Sequence, residues 1–207
     1  MPEALGMKWM LDLFAGLGGA SEAFMGHPSW EVVRVDNNPI LSGVKNMRML
    51  DVLEWMDWLP GLLEEMGGPP DLLWASPECK YFSTAFAAPR AIAQRLEEDY
   101  DPDMSQVEAI EDIKDYLNTK WWVVENVSGA CTYFPPYFGE VKQKISGIHL
   151  WGVFPQIYLP QSYVHSKFEK DRHSSDPMRY NVRSLIPIEV SRGLLEGCQT
   201  QTSLLQF

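Results

Sequence analysis

The sequence predicts an α/β protein with a mostly parallel sheet, and three observations support this prediction. Short apolar runs alternate with helix-compatible segments along the first 130 residues, as in a series of βαβ units. The runs show no polar alternation, which is typical of strands covered by helices on both faces. The chain has 207 residues and is 45% hydrophobic, enough for one sizeable core.

The predicted elements follow one another in a regular order. The apolar runs span residues 9–14, 32–35, 72–75 and 121–124. Between the second and third runs, apolar residues recur at helical spacing over residues 52–66, and the glycine and proline residues at 67–70 end that helix. Ser105 and Glu108 have the spacing of a capping box, which predicts a helix beginning there. A short core strand is expected at residues 149–152.

Composition and charge limit the cellular setting and the partners. No apolar run reaches the roughly 18–20 residues of a membrane span, and the first residues do not resemble a signal peptide, so we expect a soluble cytoplasmic protein without membrane contact. The net charge is −11, with 9 basic and 23 acidic residues in 1–141 but 8 basic and 5 acidic in 142–207. A polyanion is therefore expected to contact the last third. The three cysteines form no CxxC pair, so no metal site is predicted.

A glycine-rich turn follows the first predicted strand. Residues 12–19 read DLFAGLGG, and Asp36 ends the next strand twenty positions after Gly16. Glycines let a backbone turn sharply against a ligand, and an acidic side chain at that position can accept hydrogen bonds from ribose hydroxyls. The turn has the pattern GxGG instead of the dinucleotide pattern GxGxxG. It favours a nucleoside cofactor, with a purely structural turn as the alternative.

Two further polar sites follow predicted strands. Cys79 lies in SPEC (76–79), just beyond the third run, and Glu125 and Asn126 follow the fourth. Each has an ordinary structural interpretation: a buried small thiol, or a strand-end carboxylate facing water. Because parallel strands bring their carboxyl ends to one edge, a single active site explains these positions and the glycine turn better than separate coincidences.

This combination resembles the cytosine-C5 DNA methyltransferases, in particular short phage or bacterial members without a large target-recognition domain. The resemblance rests on DLFAGLGG (12–19), VDNNP (35–39), DV (51–52), SPEC (76–79) and ENV (125–127), in matching order. It implies a Rossmann-like S-adenosylmethionine-dependent methyltransferase sheet with a small C-terminal appendage. The change in charge after residue 141 and the size of the remainder predict a catalytic and cofactor-binding domain over residues 1–141 and a small C-terminal region over 142–207. With the resemblance, that region is expected to serve as a reduced target-recognition element.

The resemblance also assigns roles to residues. Cys79 is the implied nucleophile that adds to C6 of cytosine, Glu125 holds the base edge and its protonated N3, and Asn126 braces the site. Asp51 is expected at the adenine of S-adenosylmethionine. The implied cofactor-binding positions are Phe14, Ala15, Gly16, Gly18, Gly19, Asp36, Asn37, Asp51, Val52 and Pro77.

The chain departs from the family pattern at three points, which keep other substrates open. Glu78 stands where the family has proline, Lys142-Gln143-Lys144 is the nearest match to its arginine-rich motif, and a large target-recognition region is missing. DNA bound through the basic last third is the expected partner. RNA or a free pyrimidine nucleotide is the second hypothesis, and a non-catalytic cofactor-binding subunit that needs a protein partner is the third.

Overall fold

A computed structural model of the chain describes residues 7–163 and 175–204, and a seven-stranded sheet runs through the described part. The strands are β1 (Lys8–Leu13), β2 (Trp30–Asp36), β3 (Met47–Met49), β4 (Leu72–Ala75), β5 (Trp121–Asn126), β6 (Gln143–Ile145) and β7 (Ile148–Val153). Their order in the sheet is β3-β2-β1-β4-β5-β7-β6. All neighbouring pairs are parallel except those of β7, which runs antiparallel to both β5 and β6. The predicted mostly parallel α/β sheet is confirmed.

Helices cover both faces of the sheet. They are α1 (Glu22–Met25), α2 (Trp55–Met66), α3 (Pro89–Leu96), α4 (Ser105–Leu117), α5 (Pro135–Phe138), α6 (Arg179–Ser184) and α7 (Ile188–Leu204). Helices α2 and α4 pack on the face that carries Leu11 and Val35, whereas α1 and α7 pack on the face that carries Met10 and Trp74. Each fully buried leucine or phenylalanine contributes about 1.5–3 kcal/mol to folding, so these two cores hold the layers together. Within the described ranges, no helix combines the length and apolarity that crossing a membrane requires.

The start of α4 differs from the prediction. Ser105 is the first helical residue, and the residue before it makes no side-chain capping bond. Instead, a carboxylate oxygen of Asp103 accepts the backbone N–H of Ser105 at 3.0 Å. The same hydrogen bond lowers the pKa of Asp103. The capping-box prediction is therefore wrong in detail, because an acidic side chain two residues earlier satisfies the free N–H.

The strand order reverses direction at the carboxyl ends of β1 and β4. From β1 the chain adds β2 and β3 on one side, and then β4 and β5 on the other, so the order reverses between β1 and β4. Open α/β sheets bind ligands outside the carboxyl ends of their strands at such a reversal. Four predicted polar sites follow β1, β2, β4 and β5, and all lie at this edge.

The region beyond residue 141 takes part in the same sheet. Strand β7 pairs with β5, placing Leu150 beside Glu125 and His149 beside Asn126. Ser191 in α7 donates a hydrogen bond to the carbonyl oxygen of Ala20 at 2.6 Å and accepts the N–H of Ala23 at 3.0 Å. The division after residue 141 stays a prediction, but residues on its two sides share one sheet and contribute to both of its cores.

Candidate active site

The glycine turn has one side that is open. Phe14 and Gly16 both adopt positive φ angles, 54° and 55°, which bend the chain sharply at the end of β1. The N–H of Gly16 donates to Asp36 Oδ2 at 3.0 Å, and the N–H of Ala15 donates to the carbonyl of Val35 at 3.1 Å. A Cβ added at Gly16 would meet nothing within 4 Å. The turn is thus fixed to the end of β2 while leaving space above Gly16.

Gly18 and Gly19, in contrast, pack closely against other parts of the chain. Both are buried, and an added Cβ would overlap the Arg34 guanidinium at Gly18 and the carbonyl of Ile186 at Gly19. Gly18 also has a φ of 78°, a conformation that side chains disfavour. Both positions were predicted to bind a cofactor. In the structure their missing side chains make room for Arg34 and for the segment that precedes α7.

Acidic and amide side chains line the neighbouring strand ends. Asp36 Oδ1 accepts the N–H of Asn38 at 2.9 Å, and Asp36 ends β2 as predicted. Because a carboxylate has about four acceptor positions, Asp36 can still accept two further hydrogen bonds beside those from Asn38 and Gly16. Asn37 Nδ2 donates to Asp51 Oδ2 at 3.0 Å, which links the two positions, and Val52 beside Asp51 is buried in the core.

Cys79 lies in an exposed turn beyond β4. The residue begins a single 3₁₀ turn, and its carbonyl oxygen accepts the N–H groups of Phe82 and Ser83 at 3.1 and 2.9 Å. The flanking side chains of Glu78 and Lys80 form an ion pair with each other, and the hydrogen bond that Lys80 donates to the Glu78 carboxylate raises the pKa of Lys80. The backbone of the turn is therefore fixed, while Cys79 stays accessible from solvent.

Asn126 joins the Cys79 turn to the end of β5. This side chain is 1% exposed, its Nδ2 donates to the carbonyl of buried Pro77 at 2.9 Å, and its Oδ1 accepts the N–H of Val127 at 2.9 Å. Gly129 lies so close to the carbonyl of Phe82 that an added Cβ would overlap it. Two independent contacts therefore hold the segments after β4 and β5 together, with Glu125 half-buried at the end of β5.

Hydrogen bonds link the predicted positions along the carboxyl edge of the sheet. The N–H of Ser76 donates to the carbonyl of Leu13 at 3.2 Å, so the SPEC segment begins beside the glycine turn. Asp36 contacts Gly16, and Asn126 contacts Pro77. The structure brings the predicted catalytic and cofactor-binding segments to the same edge of the sheet.

Two of the three residues in Lys142-Gln143-Lys144 contact the backbone of a neighbouring segment. Lys142 donates a hydrogen bond to the carbonyl of Phe154 and lies over the ring of that residue, and burial lowers its pKa. Gln143 makes two hydrogen bonds with the backbone of Ile157, at 2.7 and 3.0 Å. Lys144 is exposed. Lys167, Lys170 and Arg172 lie outside the described residues.

Sequence reasoning missed two polar residues that support this edge. Gln106 at the start of α4 accepts the N–H of Glu78 at 2.8 Å. Arg34 is 2% exposed in the middle of β2 and contacts the glycine turn from behind. An arginine inside a buried apolar strand is itself a signal, because a buried charge needs partners. No comparable signal marks Gln106.

Asn126→Asp is expected to lower the free energy of unfolding by about 1–3 kcal/mol. The change removes the donor to the Pro77 carbonyl and places a carboxylate against that oxygen, while the acceptor for Val127 is kept. Urea unfolding measures the loss. The same amide-to-acid change at the exposed Gln94 is the control and should shift the midpoint little. Equal midpoints for Asn126→Asp and the unmodified chain would contradict the bracing contact.

The family models and the curated proteins give no match to this chain. Solved structures do. The methyltransferase EhMeth of Entamoeba histolytica has 13% identity and a TM-score of 0.50, over 82% of this chain and 61% of its own. A protein described as a DNA modification methyltransferase encoded within an E. coli prophage has 19% identity and a TM-score of 0.42, over 62% of this chain and 34% of its own. The chain thus spans about three fifths of the Entamoeba protein and about a third of the prophage protein.

An L-threonine 3-dehydrogenase from Trypanosoma brucei is also similar, with 19% identity and a TM-score of 0.34, over 54% of this chain and 34% of its own. At identities this low a similarity concerns the fold alone. The sheet order and the similarity to the Entamoeba protein together show a Rossmann-like methyltransferase fold.

Proposed function

We propose that this protein transfers a methyl group from S-adenosylmethionine to C5 of cytosine in DNA through a covalent bond between Cys79 and C6. The observation that carries the proposal is the meeting of three features at one edge: an open glycine turn, an exposed cysteine and a half-buried glutamate. Asn126 holds the cysteine-bearing segment against the strand that carries the glutamate. The methyltransferase fold supports the proposal.

The chain offers a suitable environment for S-adenosylmethionine. Open space at Gly16 lies directly beside the Asp36 carboxylate, which has acceptor capacity for ribose hydroxyls. The linked Asn37 and Asp51 side chains supply a second polar group for the adenine. When bound, the cofactor supplies an electrophilic methyl group on a sulfonium sulfur.

Cys79 and Glu125 perform the remaining chemistry on the base. The Cys79 thiol loses its proton to solvent, and as the Sγ–C6 bond forms the C5–C6 π electrons move to C5. C5 then becomes nucleophilic enough to take the methyl group, and the bond between that methyl and the sulfonium sulfur breaks to leave a neutral thioether. A solvent base then removes the C5 proton, and the Sγ–C6 bond breaks as the double bond returns. Glu125 donates to the cytosine edge at N3 and so stabilises the charge that develops on the ring. A cytosine within a duplex must be flipped out to reach this edge.

A free pyrimidine nucleotide or RNA is the second candidate substrate, and one observation favours it. Residues 1–141, which carry the candidate site, hold 9 basic and 23 acidic residues. Such a charge balance opposes extended contact with any polynucleotide, RNA included, and so favours the free nucleotide within this second candidate. The third candidate is a cofactor-binding subunit that needs a protein partner for catalysis. It is motivated by Glu78, which stands where the cytosine-C5 methyltransferases have proline.

Methyl transfer from labelled S-adenosylmethionine tests these candidates directly. The purified chain is incubated in parallel with duplex DNA, single-stranded DNA, RNA, and CMP or dCMP. We expect label in DNA. Label confined to RNA or the nucleotide would keep the chemistry and replace the substrate. Cofactor binding without label anywhere would contradict catalysis by the isolated chain.

The affinity of the protein for a DNA substrate is expected to fall steeply as the salt concentration rises. Each phosphate contact releases counterions on binding, so even three contacts lower the affinity about 40-fold between 50 and 200 mM salt. The measurement is the KM for a DNA duplex at several salt concentrations, with dCMP as the control substrate. Equal salt dependence for duplex and dCMP would contradict a polynucleotide substrate.

A further inference from the structure

A buried arginine lies directly beneath the glycine turn. Arg34 is 2% exposed, and its guanidinium donates to the carbonyl of Gly18 at 2.9 Å, to Ser21 Oγ at 2.8 Å and to Glu22 Oε2 at 2.7 Å. A fourth hydrogen bond reaches the carbonyl of Lys45 at 3.2 Å. One side chain thus connects both ends of the segment 18–22 with the loop before β3.

The guanidinium also occupies the space that a side chain at Gly18 would need. An added Cβ there would overlap Arg34, whereas one at Gly16 would meet nothing within 4 Å. The turn therefore has a protein-facing side, filled by Arg34, and an open side. Because Gly18 has a φ of 78°, glycine is required here both for the backbone angle and for the close approach of Arg34.

A second buried polar residue extends the contact. Asp12 is the cross-strand neighbour of Arg34 and is 1% exposed. Ser21 Oγ donates to Asp12 Oδ2 at 2.5 Å and accepts from Arg34 Nε. Arg34 and Glu22 balance each other's charge, although Glu22 is 57% exposed and contributes less than a buried partner. The connected residues Asp12, Ser21 and Arg34 form what we call the loop clamp.

We propose that Arg34 is a positioning residue for cofactor binding, which acts through the Gly18 carbonyl and Ser21 to hold the glycine turn in its open shape. Arg34 does not touch the space above Gly16. Its planar guanidinium donates in several fixed directions, which lets a single side chain define the path of the turn. The proposal rests on the proposed binding of S-adenosylmethionine.

Arg34→Lys tests the clamp because it keeps the positive charge and removes the planar set of donors. We expect the Kd for S-adenosylmethionine to rise roughly tenfold or more, as for the loss of a hydrogen bond to a charged donor. At saturating cofactor, kcat should stay within about twofold. In the ligand-free chain, hydrogen exchange of the amides of residues 16–19 should accelerate. Arg48→Lys, at an exposed ion pair with Glu65, is the matched control and should change none of these.

Ser21→Ala provides a second variant if Arg34→Lys does not fold. It deletes only the hydroxyl between Asp12 and Arg34 and should raise the Kd several-fold, with faster exchange of the same amides. Unchanged amide exchange and unchanged Kd in a folded variant would overturn the clamp while leaving the proposed function intact. Absence of cofactor binding by the unmodified chain would overturn the proposed function, and the clamp's role in cofactor binding with it.

Discussion

Cys79→Ser is expected to reduce methyl transfer to cytosine on the order of 10⁴-fold or more, while the Kd for S-adenosylmethionine stays unchanged. A thiolate is an effective nucleophile near neutral pH, whereas a serine hydroxyl without an adjacent base is not. Removal of a nucleophile from an established enzyme has effects of this size or larger. Cofactor binding is retained because Cys79 follows β4, whereas the glycine turn and Asp36 follow β1 and β2.

The structure makes this substitution a clean test. Cys79 is exposed, and the turn around it is fixed by hydrogen bonds to its backbone carbonyl, which serine keeps. Cys131→Ser is the control, since Cys131 is only partly exposed and lies in the turn after β5. A folded Cys79→Ser protein that retains full activity would contradict covalent catalysis.

A mechanism-based substrate makes the covalent bond visible. In an oligonucleotide that contains 5-fluorocytosine, the fluorine at C5 cannot leave as a proton does, so the adduct between Cys79 and C6 accumulates. We expect a species that survives denaturing electrophoresis with the unmodified chain and with Cys131→Ser, and none with Cys79→Ser. An adduct in Cys79→Ser would place the nucleophile elsewhere.

The fold could be predicted from the sequence where strands are long and buried on both faces. The predicted runs 9–14, 32–35, 72–75 and 121–124 correspond to β1, β2, β4 and β5, and the helix predicted over 52–66 corresponds to a 3₁₀ turn and α2. Strands β3 and β6 have three residues each, too few to show a pattern. Their pairing is set by neighbouring strands and not by local sequence.

The candidate site was predictable where a motif follows a strand, and less so where a contact crosses the fold. Asp36, Cys79 and Asn126 each lie near the carboxyl end of a recognised strand, so their placement at one edge followed from parallel topology. Sequence spacing does not show that Gly19 meets Ile186, because 167 positions separate them. The loop clamp was not predicted either, because its contacts cross from β1 to β2 and to the segment between them, although Arg34 in a buried strand signalled that it needs a partner.

Asp12→Asn is expected to flatten the dependence of stability on pH. Burial raises the pKa of Asp12 from its ordinary value of 3.8 to about 7, against the opposing effects of the Ser21 hydrogen bond and the Arg34 charge, while Asp36 adds to the rise. The folded chain therefore keeps a proton that the unfolded chain has already lost above about pH 4. This contribution to stability is complete below pH 4 and is lost as the pH rises through 7. From pH 5 to pH 8 the folded chain loses about 3 kcal/mol of this stabilisation.

Urea unfolding at pH 5, 6, 7 and 8 measures this effect as a difference between two proteins. Asparagine keeps the acceptor for Ser21 and remains neutral, so it imitates the protonated carboxyl at every pH. Relative to Asp12→Asn, the unmodified chain should lose about 3 kcal/mol from pH 5 to pH 8. Asp112→Asn, at an exposed position of α4, should run parallel to the unmodified chain. A constant difference between Asp12→Asn and the unmodified chain would mean that Asp12 stays charged throughout, and the loop clamp would then hold a buried ion pair at every pH tested.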